Sequence, residues 1–300
     1  MLSRNRSARE PGSRSLGFAL ALLMLIHLGH PGCGAPAKPP DRPSQRVASL
    51  DPLATRLILM LGQADRIVAV DAASADLPGL ERRSRIPTDD ETAYQALIGA
   101  GVDLVVLPFE RIELSQRLNN ANIRTVISLI HDFDDGFTLL GEIAGRLGVA
   151  ASARTQIADL SRPFAEIAAE SQGRTRPRVA VIESFEPLAL VGDHRFATAL
   201  VEIAGGESVT HGREGASIPI ERSALEALAP ELLLYARPEP IDEADRRALV
   251  ESVAEIAPLV VVELDPARFA EPSAVAAART LRAAIAPRAR PLEAAGTPAD

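Results

Sequence analysis

The sequence predicts an α/β protein of two lobes with parallel sheets, joined by a long helical spine. Three observations carry this. Continuously apolar strand-like runs alternate with helix-like runs in both halves of the chain. Strands without polar alternation belong to parallel sheets covered on both faces. A helix–acid–strand phrase occurs twice, as "ETAYQALIGAGVDLVVLP" and "ERSALEALAPELLLYARP", with Asp103 and Glu231 in register 128 residues apart. Between the two halves, residues 134–170 carry helical periodicity and no strand signal.

The first lobe spans residues 46–133. "RVASL" reads as a buried strand. "DPLATRLILMLG" reads as a helix with Asp51 as N-cap, Pro52 at the first helical position and Gly62 past its end. "RIVAVD" is the second strand. "TDDETAYQALIGAG" opens a helix with acids in its first turn, where the helix dipole favours them. "VDLVVL" is a strand, "RIELSQRLNNAN" a helix and "RTVISL" a strand.

The spine is assigned to residues 134–172. Phe137, Leu140, Ala144, Leu147, Ile157, Leu160, Phe164 and Ile167 recur mostly at three- or four-residue steps. A continuous helix over the run would extend roughly 55 Å at 1.5 Å per residue. Pro163 and the glycines at 136, 141, 145 and 148 are places where it could kink or break.

The second lobe spans residues 176–287. "RVAVIES", "ELLLYA" and "LVVVELD" read as strands. "RFATALVEIAGG", "ERSALEALA", "DEADRRALVESVAEIA" and "SAVAAARTLRAAIA" read as helices. Residues 288–300 are expected to be a loose tail.

The beginning of the chain has another character. Arg4, Arg6, Arg9 and Arg14 precede an apolar run of about 14 residues, "LGFALALLMLIHLG", too short to span a membrane. This pattern predicts a secretory signal over residues 1–37, followed by a Pro-rich linker over 38–45. Ala35 and Ala37 supply small residues for cleavage. Cys33 behind Gly32 is an alternative lipidation point, so the mature protein is expected in the periplasm, either free or lipid-anchored. Cys33 is the only cysteine, so no disulfide can form within the chain. The net charge of −8 argues against nucleic acid or anionic membranes as partners.

Six phrases, taken in order, carry a family resemblance: "RVASLDPLATRLILMLGQADRIVAV", "ALIGAGVDLVVL", "LGEIAGRLGVAASA", "RPRVAVI", "VEIAGGESV" and "LEALAPELLLY". Together they resemble the periplasmic substrate-binding proteins for iron–siderophores, haem and vitamin B12. Val102 stands where that family usually has proline. The resemblance implies two α/β lobes joined by one long rigid helix, with the ligand clamped between them. It also implies a monomer that captures a metal chelate (siderophore, haem or cobalamin-like) for an ABC permease in the inner membrane. In the family, one acidic residue on each lobe docks onto the permease. The aligned positions here are Gln95 and Ser223, with Glu91, Glu221 and Glu226 nearby. This departure leaves open a receptor that no longer docks.

Ligands of open α/β sheets sit beyond the carboxyl ends of the strands. That rule selects Asp51, Phe109, Arg111, His131, Phe185, His194, Arg195, Tyr235 and Arg237 as cleft candidates. His131 and His194 could ligate a chelated metal axially. Arg111, Arg195 and Arg237 could fork onto carboxylates. Each could equally be a loop residue without a ligand, and His211 is placed outside the cleft. The shortage of aromatics, 3% with no Trp, counts against stacking on a large planar ring. No phosphate-binding loop, nucleophile elbow or zinc-protease motif occurs, so no enzyme is expected and no cofactor of the protein's own. The remaining enzyme class on a two-lobed frame is a tetrapyrrole chelatase, using His131 or His194 as base or metal handler.

Overall fold

The computed structural model describes residues 42–213 and 215–292. The proposed signal with Cys33, most of the linker and the end of the tail lie outside the described residues.

The first lobe begins with strand β1 (Val47–Ser49) and helix α1 (Pro52–Met60). The Asp51 carboxylate accepts the backbone N–H groups of Leu53 and Ala54 at 2.8 and 3.0 Å, so the sequence signal for this N-cap reflects a real contact. Strand β2 (Ile67–Val70), the short β3 (Ser84–Arg85), helix α2 (Asp90–Gly99), strand β4 (Leu104–Pro108), helix α3 (Ile112–Asn120) and strand β5 (Arg124–Ser128) complete the lobe. All five strands are parallel, in the order β3-β2-β1-β4-β5.

The run expected as one long helix is two. Helix α4 (Phe133–Leu147) ends at Gly148, whose φ of +72° is the left-handed closing conformation that glycine adopts without strain. Helix α5 (Ala150–Ala169) follows, with Pro163 inside it. The sequence periodicity persists across the break because both helices turn an apolar face to the same core. The connection between the lobes falls to α5. Gln156 bonds the Met60 carbonyl of the first lobe at 3.0 Å, while α5 packs against helices of the second.

The second lobe contains β6 (Arg178–Phe185), β7 (Leu188–Val191), α6 (Phe196–Ile203), β8 (Glu207–Ser208), β9 (Ser217–Pro219), α7 (Arg222–Ala227), β10 (Leu232–Arg237), α8 (Glu243–Val253), β11 (Leu259–Glu263) and α9 (Pro272–Ile285). Its sheet is mixed rather than parallel, in the order β11-β10-β6-β7-β9, with β8 beside β6. β7 runs antiparallel to both β6 and β9. The turn at Glu186 and Pro187 folds the chain back as a hairpin, so Phe185 ends a strand rather than standing in a loop at the cleft mouth. The first residues of the expected loose tail are fastened. Leu292 N bonds Gly173 O, Thr175 N bonds Arg290 O, and Arg174 and Pro291 form a bridge.

The repeated phrase has a physical meaning. Asp103 accepts the N–H groups of Gln45 and Arg46 at 2.9 and 3.3 Å, and the Arg46 guanidinium reaches the Ala100 and Gly101 carbonyls at the end of α2. In the second lobe Glu231 accepts Arg178 N at 3.1 Å, and the Arg178 guanidinium reaches the Leu228 carbonyl at the end of α7. One acid thus anchors the start of the central strand, and one arginine satisfies orphan carbonyls of the preceding helix.

A single apolar cluster runs through both lobes. It joins Val47, Leu57 and Leu104 of the first to Val179, Leu200, Leu234 and Leu281 of the second. Its centre is aromatic. The Phe133 ring lies 4.8 Å from Phe164, 5.1 Å from Phe196 and 6.3 Å from Phe269. Phe269 fits because residue 136 is glycine: a Cβ there would lie 2.5 Å from the ring. Two smaller clusters pad the outer faces of the sheets, one in each lobe.

Candidate functional site

A cleft of about 350 Å³ lies between the lobes. The first lobe contributes Leu53 from the start of α1, with Ile130 and His131 from the segment after β5. The second contributes Glu183 from β6, Val191 from β7, Arg195 and Phe196 from the start of α6, and Ala236, Pro238, Leu264 and Pro266 from the ends of β10 and β11. The lining is mainly apolar, with one acid, one base and one imidazole. Such a composition suits a small-molecule pocket, and the volume falls at the lower end of the usual range of roughly 300–1,000 Å³.

His131 is held by the first turn of the helix that follows it. The Asp135 carboxylate accepts the His131 backbone N–H at 2.9 Å and lies 3.3 Å from ring Nδ1. With the proton on Nδ1, the Nε2 lone pair is left free, the arrangement in which a carboxylate orients a metal-ligating histidine. Arg195 lines the same cleft, and its backbone is fixed by Thr198 Oγ1 at 3.0 Å.

The other candidates go elsewhere. Asp51 is engaged in capping α1 and does not line the cleft. Phe109, at the end of β4, is 49% exposed and stands apart from the lining. Arg111 forks onto Asp90 at the start of α2, with Nε and a terminal nitrogen 2.8 and 2.7 Å from one oxygen. Its charge is therefore committed within the lobe. Tyr235 and Arg237 are two residues apart on β10 and share a face, whereas Leu234 and Ala236 point to the shared core. Tyr235 packs edge-on to Phe185 with ring centres 5.0 Å apart, and Arg237 sits 5.8 Å from the Tyr235 ring. Phe185 lines a separate cavity of about 600 Å³ under β6, β7, α7 and α8. Strand alternation, which a loop-end rule ignores, explains this.

His194 and His211 meet in a second cavity, of about 290 Å³, beside the first. Both imidazoles flank the Asp193 carboxylate, with His211 Nδ1 at 3.4 Å and His194 Nε2 at 3.9 Å. Burial of Asp193 raises its pKa, but N–H donation from Gly212 and His194 and the two nearby imidazoles outweigh this, leaving it lowered. Asp132, Asp134 and Glu202 line the same cavity. Among the described residues, no three His, Cys, Asp or Glu side chains already converge as a metal cage. His211 joins His194 here, not His131. Glu183 of the cleft and Asp193 of the second cavity were not singled out from sequence. Glu183 lies inside β6, two residues before its end at Phe185, so a rule that looks only beyond strand ends passes over it.

On the faces assigned to docking, Gln95 and Ser223 are exposed, at matching positions on α2 and α7. Glu91 pairs with Arg117 at 2.8 Å, and Arg117 stacks 4.5 Å over Tyr94. Glu226 pairs with Arg222 at 3.2 Å, while Glu221 is the exposed N-cap residue of α7. No described helix is long and apolar enough to cross a membrane.

Comparison with known proteins gives a consistent picture. A family model described as periplasmic binding protein matches residues 47–265. A cobalamin-binding protein of Halobacterium salinarum is 26% identical over 176 residues, covering 56% of this chain and 47% of that protein. The chain thus spans about half the length of the curated relatives it matches. Among solved structures, the haem-binding protein HutB of Vibrio cholerae superposes with TM-score 0.62 at 15% identity, over 80% of this chain and 98% of that one. A periplasmic haem-binding protein of Pseudomonas aeruginosa gives 0.58 at 20% identity over 83% and 95%. The vitamin B12-binding protein BtuF of Vibrio cholerae gives 0.57 at 15% identity over 81% and 97%. At these identities the likeness speaks for the fold.

Proposed function

This chain belongs to the periplasmic binding protein family, and from that premise we propose that it captures a metal chelate between its lobes for an ABC importer. The observation that carries the reading is the cleft itself. It lies beyond the carboxyl ends of both sheets, between Leu53, Ile130 and His131 on one side and Glu183, Arg195, Pro238 and Pro266 on the other. The free Nε2 of His131 supports axial contact with a chelated metal. The single acid and single base favour a chelate of low net charge with an apolar face. A polyanionic siderophore would lose hydration there without enough cations to compensate. The work is binding rather than catalysis, and it is carried out by a monomer outside the inner membrane, as the amino-terminal pattern suggests.

Calorimetric titration of haem, cobalamin and ferric siderophores tests this. One of them should bind, and His131→Ala and Arg195→Ala should each weaken it at least tenfold, about 1.4 kcal/mol or more. Arg237→Ala and His211→Ala should leave it unchanged. Failure of every chelate, or tight binding that neither cleft variant alters, would overturn the reading.

A second reading, a receptor that has given up its importer, is favoured by the docking faces. Gln95 and Ser223 offer no charge, and the neighbouring Glu91 and Glu226 already have arginine partners. Acceleration of a reconstituted importer's ATPase by loaded protein would exclude it.

A further inference from the structure

We infer that Asp193, His194 and His211 form a clasp for one divalent transition-metal ion of the zinc type, separate from the cleft between the lobes. The inference does not rest on the chelate reading. Ligands held tetrahedrally at about 2.0–2.2 Å from zinc stand roughly 3.3–3.6 Å from one another. His211 Nδ1 stands 3.4 Å from Asp193 Oδ2, and His194 Nε2 stands 3.9 Å from the same oxygen. The first separation is already a tetrahedral edge, and the second needs only a few tenths of an ångström. Both imidazole side chains are largely exposed, at 78% and 68%, so ring rotation toward a common point meets little packing resistance.

The backbone beneath the rings is already set. Asp193 Oδ1 accepts His194 N at 2.9 Å, Asp193 Oδ2 accepts Gly212 N at 2.6 Å, and Asp193 N bonds Arg213 O at 2.9 Å. One carboxylate, whose side chain is only 10% exposed, therefore pins together the two loops that carry the imidazoles. His194 is held at φ +55°, a left-handed conformation that a side chain with a Cβ adopts only under strain. The loop staple accounts for Asp193 and for the backbone of residue 194. It requires neither imidazole, and it would be less strained with glycine at 194. What the two rings add is a pair of nitrogen donors beside a carboxylate, a donor set suited to Zn²⁺. Asp132 and Asp134 line the same cavity and make its field favourable to a cation, while Glu202, also in the lining, is paired with Arg176.

The test uses the full chain, stripped with chelator and titrated with Zn²⁺ by calorimetry and with Co²⁺ by visible absorption. The unaltered protein should take up one ion per chain, and the double variant His194→Asn/His211→Ala none. The Co²⁺ spectrum should show the intense bands of tetrahedral coordination. Asparagine is chosen at 194 because it tolerates the left-handed conformation. Each single variant should weaken binding at least tenfold, while His131→Ala should not change it. Metal uptake that survives the double variant resides elsewhere in the chain, for example at Cys33, His27 or His30, and overturns the inference. So does an absence of uptake by the unaltered protein, or a loss caused by His131→Ala.

Discussion

The two lobes are fastened alike at the amino ends of their strands and differ at the carboxyl ends. Both use an acid at the start of the second central strand and an arginine at the start of the first. Both close the preceding helix with a left-handed residue, Gly101 at φ +61° and Ala229 at φ +45°. Beyond that, the first lobe keeps a purely parallel sheet, while the second turns back through β7 and β9 and places Asp193, His194 and Arg195 on the return. A repeated unit of this kind repeats its foundations. The end that meets a ligand is where its two copies have room to diverge.

The largest expected effect tests whether the lobes are one folding unit or two. Phe269→Ala removes a fully buried ring that touches Phe133, Phe137 and Phe196. It should cost about 3–5 kcal/mol. Calorimetric unfolding should remain a single transition shifted to lower temperature. Two separated transitions would show that the shared core does not couple the lobes. Next come the two fastenings. Asp103→Ala, which strands two N–H groups, should cost about 2 kcal/mol, and Glu231→Ala, which strands one, about 1 kcal/mol. Equal losses in urea denaturation would mean the copies are not graded by their hydrogen bonds.

Smaller still is the exchange of closing residues. Gly101→Ala should destabilise by about 1 kcal/mol from backbone strain alone, since the nearest atom to an added Cβ is 3.8 Å away. Ala229→Gly should be neutral or gain about 0.5 kcal/mol, with relief of strain set against the entropy of glycine. The smallest concerns pH. Asp193 has a pKa below its ordinary 3.8, so its ionised form stabilises the fold above that value. The contribution should fade as pH falls through the lowered pKa. Acid unfolding followed by circular dichroism should show a shallower loss in Asp193→Asn, and an unchanged acid limb would contradict the assignment.

Much of this frame is legible in the sequence because its signals are local. Asp51, Pro52 and Gly62 mark α1 by capping chemistry, and the apolar runs at 104–107 and 232–234 mark buried parallel strands. The doubled phrase marks two lobes. Other features depend on pairings that no local window contains. β8 and β9 are two and three residues long and exist only by pairing with β6 and β7. Gly148 could not be told from Gly136, Gly141 and Gly145, yet only Gly148 ends a helix, and Gly136 serves to admit a phenyl ring. At the cleft, placement after a strand found His131 and Arg195, whereas the side of the strand decided against Tyr235 and Arg237. His211 needed the fold of the loop after β8 to bring it to Asp193.

The apolar cluster running through both lobes has a consequence for communication. A receptor built as two plates on a flexible strap can announce that it is full by changing its outline. Here Phe133, Phe164, Phe196 and Phe269 form one core shared by both plates, so the outline should change little if a ligand enters between them. A signal of occupancy would then have to be written at the rim, in the few side chains around the opening and in the exposed edge of whatever is held there.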